Sequence, residues 1–291
     1  MCIDQARRLA REPLKQLTYL NITQFLGAFN DNLFKFGLAY FLISLEGDPG
    51  QSNQILSLSS AIFVLPFIFF GATAGQIADK VSKSRLIVFT KVLELVIMSL
   101  AYISISLHLK WFSLFLLFMM ALQSTLFGPA KYGIIPELVS LKQISKANGV
   151  ITAFTFLAII TGSGAASLIL DMSVNNYSLL MQATLLIALL GIAASLLIPY
   201  TKPKEIKGPV DAIFIKAAVR SLQEMREQPP LLLVVCASAY FMLIASYIQL
   251  NMIPFAYEVL HLSLLSGGYL IVITSIGIAI GAYTVGRYSK E

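Results

Sequence analysis

The sequence predicts an all-α integral membrane protein with about eight transmembrane helices, and three observations carry that expectation. The chain is 57% hydrophobic and 12% charged over 291 residues, with a mean hydropathy of +0.78, whereas a soluble domain carries roughly a quarter charged residues. Mostly apolar runs of twenty or more residues recur along it, each long enough to cross a hydrocarbon core as a helix. These runs are continuously apolar rather than alternating and are about twice the length a barrel strand needs, which excludes a membrane β-barrel.

In order, the runs are Leu17–Leu45, Ile55–Ala78, Leu86–Leu107, Trp111–Ile135, Asn148–Leu170, Tyr177–Tyr200, Leu231–Tyr257 and Leu262–Gly286. The N-terminal seventeen residues are polar and basic and contain no apolar core, so no cleaved signal peptide is expected. Polar, basic connections separate the second run from the third and the fourth from the fifth. Near the end of the fourth, Pro129 and Pro136 are expected to break regular helix.

The connections also set the predicted topology. Of 21 Lys and Arg residues, 18 fall on one side: four before the first run, the groups around Lys80–Arg85, Lys131–Lys146 and Lys202–Arg226, and Arg287 with Lys290. The opposite loops hold Lys110. By the positive-inside rule both ends and the even-to-odd connections are cytoplasmic. The net charge of +6 therefore reflects topology and anionic lipid rather than a nucleic-acid partner. Cys2 and Cys236 are too few and too far apart for a disulfide or metal framework, and Cys236 reads as ordinary packing within the seventh run. His108 and His261 stand alone, so neither a metal site nor a cofactor is expected.

Three parts follow from the distribution of polar residues: a six-helix half at 1–200, a linker at 201–230, and the start of a second half at 231–291, which holds two helices. Within the linker, Asp211–Glu227 is expected to form a surface helix with Phe214, Ala218, Leu222 and Met225 on one side. A weak repeat supports the two halves, since GATAGQIADK at Gly71–Lys80 and GAYTVGRYSK at Gly281–Lys290 share spacing and position. On this reading the sequence is a truncated or interrupted form of a twelve-helix chain, with an eight-helix protein as the alternative.

The first run is not uniformly apolar. Asn21, Gln24, Asp31 and Lys35 recur at i, i+3, i+10 and i+14, near one side of a helix. Asp31 lies roughly 21 Å along that helix, close to the bilayer midplane. A charge at that depth costs about 2.5–3.5 kcal/mol. Pairing of Asp31 with Lys35 at i+4 lowers the cost, and an internal ion pair that fixes packing is one reading. The other is a headgroup or coupling-ion site facing a water-filled cavity, favoured because Asn30 and Asn32 add hydrogen-bonding capacity at the same level.

Two further constellations join the candidates. Lys91 and Glu94 lie one turn apart in the third run; Lys91 can snorkel to the surface, whereas the deeper Glu94 needs a partner or a cavity. At the end of the fourth run, Lys131 with Tyr132 is placed to line the inner mouth, or simply to snorkel. The substrate-binding candidates are thus Gln24, Asn30, Asp31, Asn32, Lys35, Lys91, Glu94 and Lys131.

The connection GQIADKVSKSR resembles the signature loop of the major facilitator superfamily: Gly75, three residues, Asp79, the basic Lys80, and a basic cluster reaching Arg85. Gly75 is expected to allow close helix approach, and Asp79 to accept from a helix N-terminus or a basic side chain. The resemblance implies a conformational latch made of Gly75, Asp79, Lys80 and Arg85; the alternative is a positive-inside loop with a helix cap.

Taken together, FLGAFNDNLFK, the GQIADK loop, GPAKYGIIPEL and KANG resemble the lysophospholipid transporter family, including members fused to a phospholipid acyltransferase and an acyl-activating ligase. The resemblance runs from Tyr19 to Gly149 and more loosely beyond. It implies a major facilitator-type helical bundle in a bacterial inner membrane that moves lysophospholipid, such as lysophosphatidylethanolamine, from the outer to the inner leaflet. Rocking of the halves would carry the headgroup across, with Asp31 meeting the amine and Lys35 or Lys131 the phosphate. Where it implies a basic residue in the seventh run, this sequence has Gln249 and Asn251. The implied partners are membrane lipid and an acyltransferase, separate or fused.

Two alternatives remain open: facilitator-type movement of another small molecule, and the membrane part of a fused acyltransferase. An acyltransferase of the fused type needs a histidine and an aspartate separated by four residues. Here Ser113 stands at that spacing from His108 and Ser266 from His261, so the chain itself is read as not an enzyme.

Overall fold

The computed structural model describes residues 2–46, 52–203 and 214–261, together with scattered helical positions between 270 and 285. Every regular element among them is helical: α1 (Cys2–Glu46), α2 (Ser52–Lys80), α3 (Lys83–Ser106), α4 (Lys110–Gly133), a single turn α5 (Ile135–Leu138), a 3₁₀ turn at Leu141–Gln143, α6 (Ile144–Met172), α7 (Tyr177–Leu196), α8 (Phe214–Arg226) and α9 (Pro229–Pro254), which runs into a π turn at Phe255–Val259. Six of the eight expected runs correspond to α1–α4, α6 and α7, and the seventh to α9 with its π turn. Of the eighth, the described positions are those scattered between 270 and 285, all helical, and most of the second copy of the repeat lies outside the described residues.

Among the described residues, five segments are long and apolar enough to cross a membrane: Ser57–Lys80, Lys83–Ser106, Lys110–Gly133, Leu141–Met172 and Tyr177–Leu196. Helix is the form such segments take because hydrocarbon offers the backbone no hydrogen-bonding partner. The polar residues of α1 lower its hydropathy below that standard. Its 45 residues make it about 68 Å long at 1.5 Å per residue, so the N-terminal segment expected to precede the first helix instead extends it. Ala6, Arg7, Leu9, Ala10 and Arg11 are strong helix formers.

Pro129 does not break α4, which continues to Gly133; membrane helices tolerate the lost bond because neighbouring groups satisfy the freed carbonyl. Pro136 instead occupies the first turn of α5, where its missing N–H leaves nothing unpaired. The linker helix is present as α8 and lies against α2. Cys236 is exposed on α9 rather than packed.

α1 forms the centre, packed on α6 and α7 and touching α2 and α4, while α3 lies between α4 and α7. One core cluster gathers Leu33, Phe34, Leu38 and Phe41 of α1 with Met98, Leu117 and Met181. A second, at the basic end, gathers Leu20, Ile87, Ala130, Ile134 and Ile151. The contact of α1 with α6 is close enough to require glycine: a Cβ at Gly162 would overlap the backbone of Phe29. Gly162→Val is accordingly expected to destabilise the chain by about 1–3 kcal/mol, read as a lowered midpoint of thermal unfolding in detergent. An unchanged midpoint would show that the two helices separate freely.

The basic ends of three helices are tied together. Lys83 Nζ pairs with Glu137 Oε1 at 2.7 Å, with the lysine side chain 2% exposed. Ser84 N–H donates to Thr201 Oγ1 at 3.3 Å and Thr201 N–H donates to Ser84 Oγ at 3.0 Å. Ser82 caps α3 by accepting from Arg85 N–H at 3.4 Å, and the Arg85 guanidinium lies 4.9 Å from the Tyr200 ring centre.

Candidate functional site

The polar residues of α1 face several neighbours at once because α1 is central. Gln24 Nε2 donates to the Ile151 carbonyl of α6 at 3.1 Å. Its Oε1 accepts from Thr155 Oγ1 at 2.8 Å and from Lys131 Nζ at 3.5 Å. One turn and a half further, Asn30 Nδ2 donates to Glu94 Oε1 of α3 at 2.7 Å. Asp31 Oδ2 accepts from Ser124 Oγ of α4 at 2.6 Å, and the same hydroxyl stands 3.1 Å from Gln123 Oε1.

Lys91 and Glu94 form the ionic floor of this cluster. Lys91 Nζ and Glu94 Oε2 are 2.7 Å apart, with side chains 2% and 1% exposed. Lys91 therefore does not snorkel; it turns inward, and a Cβ at Gly27 would overlap its Nζ. Glycine at position 27 is what lets the ammonium reach α1. Its charge also lies 4.7 Å from the Phe127 ring centre, an attraction that strengthens where water is excluded. Lys131 Nζ lies 5.9 Å from the same ring centre and 4.9 Å from that of Tyr132, so it too is directed into the bundle.

Other expectations are corrected. Asp31 and Lys35 do not form an ion pair within 4.0 Å: Asp31 bonds to α4, while Lys35 Nζ sits 4.9 Å and 5.2 Å from the ring centres of Phe36 and Phe63. Bonding across to α4 holds the carboxylate on a different neighbour from the lysine. Asn32 turns its amide back to the Ala28 carbonyl at 2.8 Å and so spends its donor on its own helix. Gly75 makes no close approach, since a Cβ there would meet nothing within 4 Å among the described residues. Asp79 is exposed, and Arg85 stacks on Tyr200.

The structure thus brings together Gln24, Asn30, Asp31, Lys91, Glu94 and Lys131, and adds Gln123, Ser124 and Thr155. Nothing in the local sequence marks the last two, because Ser and Thr in apolar helices commonly bond their own preceding turn, as Thr161 and Ser163 do here. Asn30 Oδ1 and Asp31 Oδ1 are buried without a donor. Counting Lys35, Lys91 and Lys131 against Asp31 and Glu94, the interior holds a formal excess of positive charge, and neither Lys35 nor Lys131 has a carboxylate within 4.0 Å among the described residues. No grouping of three His, Cys, Asp or Glu suited to a metal ion occurs among the described residues.

Beside this cluster lies a cavity of about 1060 Å³ between Asn148, Thr152 and Phe156 of α6, Phe241 and Met242 of α9, and Ile278. None of its lining residues belongs to the ionic cluster.

Long apolar helices packed around buried, mutually bonded charges define a multi-pass helical membrane protein. The chain belongs to the Major Facilitator Superfamily, whose model matches residues 20–291. It is similar to the lysophospholipid transporter LplT of Escherichia coli strain SE11, at 34% identity over 150 residues, which is 52% of this chain and 35% of that protein. The LplT of Escherichia fergusonii is 33% identical over 179 residues, 61% of this chain and 42% of its own length. That of Salmonella arizonae is 34% identical over 150 residues, again 52% and 35%. The chain therefore spans less than half the length of the relatives it matches.

Proposed function

We propose that this chain is the substrate-bearing part of a transporter that moves lysophospholipid across a bacterial inner membrane by alternating access. The observation that carries the reading is the buried cluster: a carboxylate oxygen of Asp31 without a donor, close to lysines that have no carboxylate partner. Such a pattern complements a zwitterionic headgroup. Asp31 takes the ammonium, Lys131 or Lys35 takes the phosphate, and Gln24, held by Thr155, positions Lys131. Lys91, Glu94 and Asn30 form the scaffold behind them. The apolar cavity beside α6 suits an acyl chain that stays out of water. The similarity to lysophospholipid transporters supports this chemistry.

The basic ends of the helices face the cytoplasm in this reading, and the α2–α3 connection with Gly75, Asp79, Lys80 and Arg85 is the conformational latch. An acyltransferase, fused or separate, is the partner that would consume the delivered lipid.

The test is transport by the complete protein in vesicles. Fluorescent lysophosphatidylethanolamine is expected to become inaccessible to an external quencher, while a diacyl analogue stays behind. Equal movement of both lipids, or of neither while a water-soluble solute crosses, would sink the lysophospholipid reading.

A further inference from the structure

A separate space of about 330 Å³ opens at the basic end of the bundle. Asn21 and Ile22 of α1 line one side of it, and Gln143, Lys146, Val150 and Phe154 the other, at and just beyond the start of α6. None of these residues belongs to the Asp31 cluster. Asn21 is 7% exposed, and its Oδ1 is buried with no donor. An orphaned acceptor in such a place is unfavourable, so its position asks for a donor within the space. Lys146, in the first turn of α6, is exposed. It brings a cation to the opening beside the start of α6. Ile22 is 43% exposed and Phe154 41%, which gives the opening an apolar rim.

An anion beside Lys146, a hydrogen-bond donor at Asn21 and hydrocarbon at the rim are three demands on a single occupant. We propose that this space holds the headgroup of a phospholipid from the adjoining leaflet, with its phosphodiester on Lys146 and its terminal hydroxyl or ammonium donating to Asn21. Free phosphate would satisfy the cation alone and would leave the apolar rim without a function. The volume suits a headgroup, since small-ligand sites begin at about 300 Å³. This site stands apart from the transport reading: it needs retention of a lipid, not its movement.

Native mass spectrometry of the full chain, released from detergent, tests it with three probes: dioleoyl phosphatidylethanolamine, dioleoyl phosphatidylcholine and inorganic phosphate. Phosphatidylcholine keeps the phosphodiester but its trimethylammonium has no N–H or O–H to donate. Phosphatidylethanolamine, which has the same net charge and an ammonium that can donate, is expected to bind about tenfold more tightly than phosphatidylcholine, the effect of one added hydrogen bond. Lys146→Gln, at an exposed position that leaves the fold intact, should weaken both lipids about tenfold. Asn21→Leu should erase the difference between them, and millimolar phosphate should not displace either. Equal retention by the wild type and Lys146→Gln would overturn the proposal. So would equal binding of the two lipids by the wild type, which would mean that water satisfies Asn21, or displacement of the lipid by phosphate, which would assign the space to a free anion.

Discussion

Glu94→Ala is expected to destabilise the chain by about 3–5 kcal/mol, the cost of leaving a buried charge without its partner. Lys91 Nζ lies 2.7 Å from Glu94 Oε2, and both side chains are almost fully enclosed. With the carboxylate gone, the ammonium keeps the face of Phe127 at 4.7 Å but loses its ion-pair partner. Asn30 simultaneously loses the acceptor for its Nδ2. Glu94→Gln retains that acceptor and removes only the charge, so its loss should be smaller. Lys91→Met combined with Glu94→Leu should recover part of the stability, because paired removal leaves no unpaired charge and only the Asn30 amide without its acceptor. Thermal unfolding of the purified chain in detergent reads all three. A Glu94→Ala midpoint equal to that of the wild type would mean that Lys91 finds water, and would remove the pair from the scaffold.

Asp31→Asn is expected to reduce lysolipid transport by the complete protein about tenfold to a hundredfold, the effect of losing a charge-assisted bond worth about 1.5–3 kcal/mol. Its folding should change little, because the amide oxygen still accepts from Ser124, now 2.6 Å from the carboxylate. Ser124→Ala separates holding the carboxylate from supplying its charge. The charge remains but the hydrogen bond that orients it is gone, so the loss of transport should be smaller. Transport by Asp31→Asn at the wild-type rate, in vesicles with matched protein content, would remove Asp31 from the headgroup site.

The long apolar helices could be read directly from the sequence because hydrocarbon forces each backbone group to bond within its own segment, so hydropathy locates them. Asp31 could be read as buried and important for the same reason, since nothing apolar explains a carboxylate at that depth. Its partner could not. Lys35 is near in sequence, but Ser124 is nearer in space, 93 positions away along the chain. Lys91 was equally ambiguous, because a lysine near a helix end reaches water unless a partner and an opening draw it inward. Glu94 supplies the first and Gly27 the second. Gly75 is the glycine expected to allow close helix approach, yet a Cβ there would meet nothing within 4 Å among the described residues. Composition identifies small residues without saying which neighbour approaches them.

The ties at the start of α3 have a mechanical consequence. Lys83 holds α5, Ser84 exchanges two hydrogen bonds with Thr201, and Arg85 rests on Tyr200. Three successive residues thus rivet the feet of three columns into a single hub. Torque applied to the α2–α3 connection is handed on to α5 and to the strand of chain leaving α7, so these feet turn as one piece and bending is confined to the unriveted stretches between them.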